Sequence, residues 1–462
     1  MRWRRCSLIA PASPADAWNA LLRPEVELAE PFWAELSARL RAAKLTFGGR
    51  VHCPFLRPMF LSREDVGRIT RVAEGIAAIG ERVVQAALTD ASILDALGLT
   101  EAERELVAIE PGYARASTAS RLDGFLLPDD LWFAEYNAES PAGLGYTETL
   151  ARIFSDLPVM AQFREHFDAQ YFHLGNALVD ALLASYLEWG GRASPPTVLI
   201  VDFRGVPTWS EFEILQNRFE CRGLPTVIAD PRELTYENGR LIAAGRVIDL
   251  VYRRVLMNDV LARKDDCAAL LRAYTERTVC VANTFRCKIP HKKAFFAVLT
   301  GDAHQHLFTS NEQVMIRAHV PFTRLVAPGR TIIDGHTVDL LEHLRRQRED
   351  FVIKPNDDFG GAGVVLGWEK DDREWMAAID HAVASGPAAW VAQRRIPVSR
   401  QVFPMVETPH AVVMRDMLVD LAPYIFRGRV AGFLTRLSTT GLANVTSGGG
   451  QIPSFVVQPR EA

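Results

Sequence analysis

The chain has 462 residues, 48% of them hydrophobic and 23% charged, and a net charge of −4. That composition belongs to an ordinary soluble globular protein with room for two or three domains. The charge balance excludes a phosphate-backbone binder, which needs a basic footprint, and no run approaches the roughly 18–20 apolar residues of a membrane helix.

The chain opens on Arg2, Arg4 and Arg5 followed by Ser-Leu-Ile-Ala-Pro, a stretch too short and too Pro-interrupted for a signal peptide. Six scattered cysteines, Cys6, Cys53, Cys221, Cys267, Cys280 and Cys287, form no Cys-x-x-Cys pair. Reduced, mostly buried thiols in a cytoplasmic protein are the expectation. Cys280, Cys287 and His291 could be read as zinc ligands, but their spacing is not diagnostic.

Residues 1–110 carry helical patterning. Ser62, with Asp65 three residues on, predicts a helix start, and Ile69, Val72, Ile76, Ile79 and Val83 continue at helical spacing. Residues 121–127 and 131–137 read as two strands joined by a Pro-Asp-Asp turn, with another helical region running to Trp189. Gly190-Gly-Arg-Ala-Ser-Pro-Pro is a break. Beyond it, a strand at 197–202, a helix around 211–222 capped by Gly223 and a strand at 226–230 predict a parallel αβα unit over roughly 195–290. Asn238-Gly239 predicts a hairpin turn inside it. From about 291, helices alternate with antiparallel-looking strands, among them 390–393, 417–421 and 430–437. The expected fold class is α/β, divided as 1–190, 191–290 and 291–462.

Three constellations could carry chemistry. In 351–367 an apolar run bearing Lys354 leads into a turn with Gly360, Gly361 and Gly363 before apolar residues resume. Glycines let backbone N–H groups approach anionic oxygens and lysine adds a point charge, so a polyphosphate cradle and a plain Gly-rich hairpin are both open. No Walker-type loop is present. Asp420 at a strand end, Arg436 near another and Asn444 after a turn could supply an acid and an amide oxygen to Mg²⁺ and a cation to a transferring phosphoryl group. In the second constellation, Arg121 and Asp123 face Glu135, Asn137 and Glu139 across a hairpin, as a pocket lining or as buried ion pairs. In the third, Asp249-Leu-Val-Tyr-Arg-Arg ends a strand. Arg253 is expected at solvent and Arg254 as the better anion ligand. No Gly-x-Ser-x-Gly elbow occurs, and His304 and His306 are expected on the surface.

With these segments in view the chain resembles the circularly permuted ATP-grasp family, relatives of the synthetase domain of glutathionylspermidine synthase. The resemblance rests on Phe133-Ala-Glu-Tyr-Asn-Ala-Glu-Ser-Pro-Ala-Gly, Ile248-Asp-Leu-Val-Tyr-Arg-Arg, Val281-Ala-Asn and Lys292-Lys293-Ala. Further on it rests on Val352-Ile-Lys-Pro-Asn-Asp-Asp-Phe-Gly-Gly-Ala-Gly, Val391-Ala-Gln, Val419-Asp-Leu-Ala-Pro-Tyr and Leu434-Thr-Arg-Leu with Asn444-Val-Thr-Ser-Gly-Gly-Gly. It implies a permuted ATP-grasp core in 291–462, an αβα unit of pre-ATP-grasp type before it, and ATP with Mg²⁺ as cofactors. The implied reaction joins a carboxylate to an amine through an acyl phosphate, on small-molecule or peptide substrates, without nucleic acid or membrane partners. Lys293 and Lys354 would contact the phosphates, Gly360, Gly361 and Gly363 would form the lid and Gln393 would lie beside adenine. Asp420 and Asn444 would hold Mg²⁺, and Arg436 would face the γ-phosphate. Arg121, Glu135, Asn137 and Arg254 would line the acceptor side. Departures are the missing Glu near Asn444, Ala422 in place of arginine, and Gln451-Ile-Pro-Ser in place of Lys-Asp. They keep open a catalytically degenerate nucleotide-binding scaffold. No hydrolytic amidase half is expected.

Overall fold

The computed structural model describes residues 13–22, 29–47, 50–358, 360–408, 411–441 and 449–460. Cys6, Asn444 and the basic stretch at 2–5 lie outside them. At the centre is a six-stranded antiparallel sheet, in the order Gly450–Ile452, Arg429–Ser438, Ala411–Phe426, Ala119–Leu126 and Leu131–Asn137. Arg400–Thr408 pairs with the outer half of Ala411–Phe426. The sheet thus joins strands from the first and last thirds of the chain.

Cross-strand partners share a face of a sheet and alternate residues do not. Asp420 pairs with Arg436, Arg436 with Gln451, Tyr424 with Arg121, Arg121 with Asn137 and Asp123 with Glu135. All of these therefore point to one side. The opposite side presents Leu122, Tyr136, Val419, Leu421, Ile425, Phe433 and Leu437, which enter the main core with Ile69, Val72, Ile76, Ile79 and Val83. Those five come from the helix Arg63–Ala87, which packs on this face. It begins where expected, with the Ser62 hydroxyl accepting the Asp65 N–H at 3.0 Å. Asp420 sits well inside a 16-residue strand rather than at a strand end. Its outer part, residues 411–416, is largely exposed and pairs with Arg400–Thr408.

The other sheets follow the expected periods. Cys280–Ala282, Leu250–Arg253, Val198–Val201 and Thr226–Ala229 form an all-parallel sheet with the helix Trp209–Cys221 as a crossover. Asn238 and Gly239, both at positive φ, turn the hairpin between Thr235–Glu237 and Arg240–Ala243. A small antiparallel sheet orders Thr323–Leu325, Trp390–Arg394, Phe351–Pro355 and Val365–Leu366. Its Phe351 and Ile353 pack on Trp375 and Ile379 of the helix Asp372–Ala384 in a separate core. A three-stranded sheet of Met59–Leu61, Ser454–Pro459 and Phe167–Tyr171 departs from the helical reading of both early segments. Strands of three and five residues carry too few period-2 repeats to outweigh the helices around them.

Arg253 corrects another expectation: its side chain is fully buried, with Nη1 donating to Glu139 at 3.0 Å and to the Val255 carbonyl at 2.6 Å. His304 is buried as well, in a short 3₁₀ turn. Cys53, Cys267, Cys280 and Cys287 are buried free thiols and Cys221 an exposed one. Among the described residues no three His, Cys, Asp or Glu side chains gather into a metal-binding group, and no helix is long and apolar enough to cross a membrane.

Asn283 ties the parallel sheet to the central one. Its Oδ1 accepts the Thr118 and Ala119 N–H groups at 2.7 and 2.8 Å, and its Nδ2 donates to the Ala119 and Glu139 carbonyls at 2.6 and 2.7 Å. Removing it strands two buried N–H donors, each an unmade hydrogen bond worth about 1–3 kcal/mol. Asn283→Ala should therefore lose about 3 kcal/mol or more, read as a lower urea midpoint with an unchanged m-value. A loss within 0.5 kcal/mol or so, the scatter of surface substitutions, would refute the clamp.

Candidate functional site

The polar face of the central sheet looks across at the small sheet, and a β-bulge sets the meeting point. Asp123 pairs with Glu135 but Gly124 pairs with Phe133, leaving Ala134 unopposed. A bulge releases backbone groups from the ladder and re-aims them. Here the Gly124 N–H donates to Asp420 Oδ1 at 3.1 Å, and the Ala134 carbonyl accepts Lys354 Nζ from the small sheet at 3.4 Å. Residue 124 must be glycine on space alone: a Cβ there would lie 2.7 Å from the Phe133 ring.

Arg436 is the hub of this face. It donates from Nε to Asp420 Oδ2 at 2.6 Å and from Nη2 to Asp123 Oδ2 at 2.5 Å, while Arg121 Nε donates to Asp123 Oδ1 at 2.8 Å. Burial opposes ionisation of both acids. Asp123, gripped by two guanidiniums, still stays well below the usual carboxylate range, whereas Asp420 is pushed up to about 6. One Asp420 oxygen is held by Gly124 and the other by Arg436, so a metal ion there would share or displace these partners. Glu135 is the freest carboxylate in the group. It accepts from Asn137 Nδ2 at 3.2 Å, lies 3.7 Å from Lys293 Nζ and keeps a quarter of its side chain exposed. Glu135 and the Asn137 amide oxygen are oxygen donors of the kind a hard divalent cation takes, whereas Asp123, like Asp420, has both oxygens engaged, one by Arg121 and one by Arg436.

Lys354 and Gln393 lie on the face of the small sheet that looks toward the bulge, for Val352 pairs with Gln393 and Lys354 follows two residues on. Lys354 Nζ donates to Gln393 Oε1 at 2.7 Å, and Gln393 Nε2 donates to the Thr323 hydroxyl at 3.2 Å. Burial, with Lys293 repelling and Glu135 attracting, lowers the Lys354 ammonium to about 8. Lys293 is held against the loop: its backbone N–H donates to the Asn356 carbonyl at 2.9 Å and its Nζ to the Asp358 carbonyl. Gly360, Gly361 and Gly363 all have φ near +70°, the left-handed region in which a side chain would be strained.

Arg121 and Arg254 converge on the loop 140–143. Arg121 Nη1 and the Tyr424 hydroxyl both donate to the Ala142 carbonyl at 2.8 Å, and Arg254 Nη1 donates to the Pro141 carbonyl at 2.9 Å. Arg254 Nη1 also donates to the Tyr252 hydroxyl at 3.1 Å, while its buried Nε has no hydrogen-bond partner among the described residues. Glu211, fully buried, accepts the Gly143 and Gly145 N–H groups at 3.0 Å each and fixes the start of the helix Leu144–Ser155. The sequence singled out neither Glu211 nor the lysines Lys288 and Lys292. The Lys288-Ile-Pro-His-Lys-Lys run was the available signal for the lysines, and nothing local marks Glu211.

This sheet pair, with its glycine loop and paired lysines, is an ATP-grasp arrangement. The chain belongs to the circularly permuted ATP-grasp type 2 family, whose model matches residues 103–445. An uncharacterized protein of Mycobacterium tuberculosis is 24% identical over 356 residues, 72% of this chain and 58% of that protein. The chain thus spans under two thirds of that relative's length. A putative glutamate–cysteine ligase of Frankia alni is 27% identical over 222 residues, 46% of this chain and 24% of that protein. A glutathione synthetase-like effector from Globodera pallida superposes with a TM-score of 0.62 at 11% identity, covering 94% of this chain and 98% of that one. At that identity the likeness speaks for the fold alone.

Replacing Arg436 by glutamine would leave two buried carboxylates without their shared cation, a loss of about 3–5 kcal/mol. Asp420 already sits above its unfolded value, so its ionised form opposes folding and protonation relieves the strain. Without Arg436 the Asp420 value rises further, so the deficit of Arg436→Gln should be largest well above pH 6 and shrink as pH falls to about 6, below which Asp420 is protonated in both proteins. Urea midpoints at pH 8 and pH 5 measure this, and a deficit independent of pH would contradict it.

Proposed function

We propose that the protein is an ATP-dependent carboxylate–amine ligase that forms an amide through an acyl phosphate and releases ADP and phosphate. The observation that carries this reading is the facing of two charged surfaces. One is the registered Arg121, Asp123, Glu135, Asn137, Asp420 and Arg436 of the central sheet, and the other is Lys354, Lys293 and the glycine loop. Phosphoryl transfer needs positioning and charge neutralisation more than covalent help from the protein, and this set offers both.

Lys354 and Lys293 hold the polyphosphate, and Gly360, Gly361 and Gly363 turn backbone N–H groups over it. Gln393, at the inner end of the small sheet, lies on the nucleotide side. Glu135 and Asn137 are the oxygen donors that would hold Mg²⁺, which would screen the phosphate charge when bound, and Asp123 or Asp420 would join them by giving up a contact to Arg436. Asp420 and Asp123 aim Arg436 at the transferring group. The substrate carboxylate oxygen attacks the γ-phosphorus and ADP leaves. The amine nitrogen then attacks the acyl carbon, phosphate leaves and the nitrogen gives up a proton. Arg121 and Arg254 shape the acceptor side through the loop 140–143. The substrates are a small-molecule or peptide acid and an amine, and the compartment proposed is the cytoplasm. The rival is a nucleotide-binding module without turnover, favoured by the ion pairs that Asp123, Asp420 and Arg436 already make with one another.

At about 100 times its dissociation constant Mg-ATP should stabilise the protein by about 2.7 kcal/mol, a visible thermal shift that Lys354→Ala should lose. ADP release dependent on both an acid and an amine identifies the ligase. Release without the amine points to a phosphotransferase, and binding without release to the rival.

Lys354 supplies a second test. Its lowered value means that it is partly neutral near pH 8, and a polyanion favours the charged form. Mg-ATP binding near pH 8 should take up protons, weaken as pH rises through 8 and show calorimetric enthalpies that vary with buffer ionisation heat. Lys354→Met should lose that variation. A buffer-independent enthalpy in the wild type would contradict the placement of the phosphates at Lys354.

A further inference from the structure

The limb that leads into the glycine loop is fastened at three successive residues by one segment, residues 288–294. Asn356, buried at the end of the strand Phe351–Pro355, accepts the Ala294 N–H through Oδ1 at 2.8 Å and donates from Nδ2 to the Leu97 and Ala388 carbonyls at 2.9 Å each. Asp357 accepts Lys288 Nζ at 2.6 Å on one oxygen and Lys292 Nζ at 2.7 Å on the other. The Asp358 carbonyl accepts Lys293 Nζ.

Both lysines that grip Asp357 are buried and have other partners. Lys292 also donates to Glu103 at 2.8 Å and Lys288 to Glu139 at 3.4 Å, while Arg253 closes the group on Glu139. Burial opposes ionisation of Glu139, yet Lys288 and Arg253 outweigh it and hold the carboxyl at about 2. His291, lowered to about 4 by burial and by Lys288, is neutral beside them. The charges balance as Arg253, Lys288 and Lys292 against Glu103, Glu139 and Asp357.

Such a cluster adds little net stability over apolar packing of the same volume, but it fixes geometry. Asp357 is its one carboxylate on the glycine-loop limb. The other two come from the helix Glu101–Ala108 and from the end of the hairpin. A loop ordered in advance does not have to be ordered by its ligand, and affinity rises accordingly.

We propose that Asp357 is a positioning residue: held between Lys288 and Lys292, it latches the glycine loop in its phosphate-receiving form and raises nucleotide affinity without touching the nucleotide. The proposal rests on the nucleotide reading above for its consequence and on the ion cluster for its mechanism. Losing Asp357 leaves Lys292 on Glu103 and Lys288 on Glu139, so neither lysine is orphaned and the fold should survive.

Hydrogen exchange of the amides in 356–364, without nucleotide, reads the latch directly, and the dissociation constant of Mg-ATP reads its effect. Asp357→Asn should speed exchange in that window selectively and weaken Mg-ATP about tenfold, within the usual range of coupled residues. Lys292→Met should do the same, and the double variant should be no worse than either single one. Unchanged loop exchange in Asp357→Asn, or additive losses in the double variant, would overturn the latch. If the wild type itself fails to bind Mg-ATP, the ligase reading falls, while the exchange data still decide whether Asp357 orders the loop. Should Asp357→Asn not fold, Lys292→Met is read alone in the same window, and wild-type exchange there would count against the latch.

Discussion

Everything at the candidate site depends on how charge is buried on one face of the central sheet. A charged side chain removed from water is tolerated only when paired, and here the pairing is cross-strand. Arg436 bridges Asp123 and Asp420, and Arg121 closes the row. Because side chains alternate, the same strands present a largely apolar surface to the helix Arg63–Ala87, with the buried hydroxyls of Ser120 and Thr435 hydrogen-bonded within it. The sheet is thereby core on one side and site on the other. A one-residue slip of any strand would exchange the two, so burial of the apolar face also fixes the register of the charges.

The bulge at Ala134 adapts this sheet to its neighbour. A regular ladder would consume the Gly124 N–H and the Ala134 carbonyl. The extra residue frees the first for Asp420 and the second for Lys354. Two sheets with separate cores are thus joined at the site by a lysine and a carbonyl. The small sheet repeats the two-faced design, with Phe351 and Ile353 toward Trp375 and Lys354 with Gln393 toward the central sheet.

Much of this was legible in the chain. The Ser62 cap, the strand pairs at 119–137, the Asn238-Gly239 hairpin and the glycine loop are local signals, and each formed where the pattern placed it. Arg121, Asp123, Glu135, Asn137 and Glu139 were expected on common faces; the register puts the first four there, while Glu139 lies past the strand end and pairs with Arg253 and Lys288. Arg253 was misread because a strand-end arginine looks solvated from one strand alone, and only the approach of Glu139 buries it. Asp420 was misread because Pro423 reads locally as a strand end, yet the strand continues to Phe426, paired with Arg429–Ser438 and with residues 119–121.

The sequence by itself determined the elements, the two-faced patterning of their strands and the residue types fit for phosphate and metal, because propensity, capping and period are properties of neighbouring residues. Only the tertiary structure decided which charges meet. Asp123 lies 313 residues from Arg436, and Lys288 and Lys292 reach Asp357 across nearly seventy. Whether a carboxylate is free for a metal or held by a guanidinium depends on that meeting and on the burial it brings. Neither is a property of any local stretch of chain.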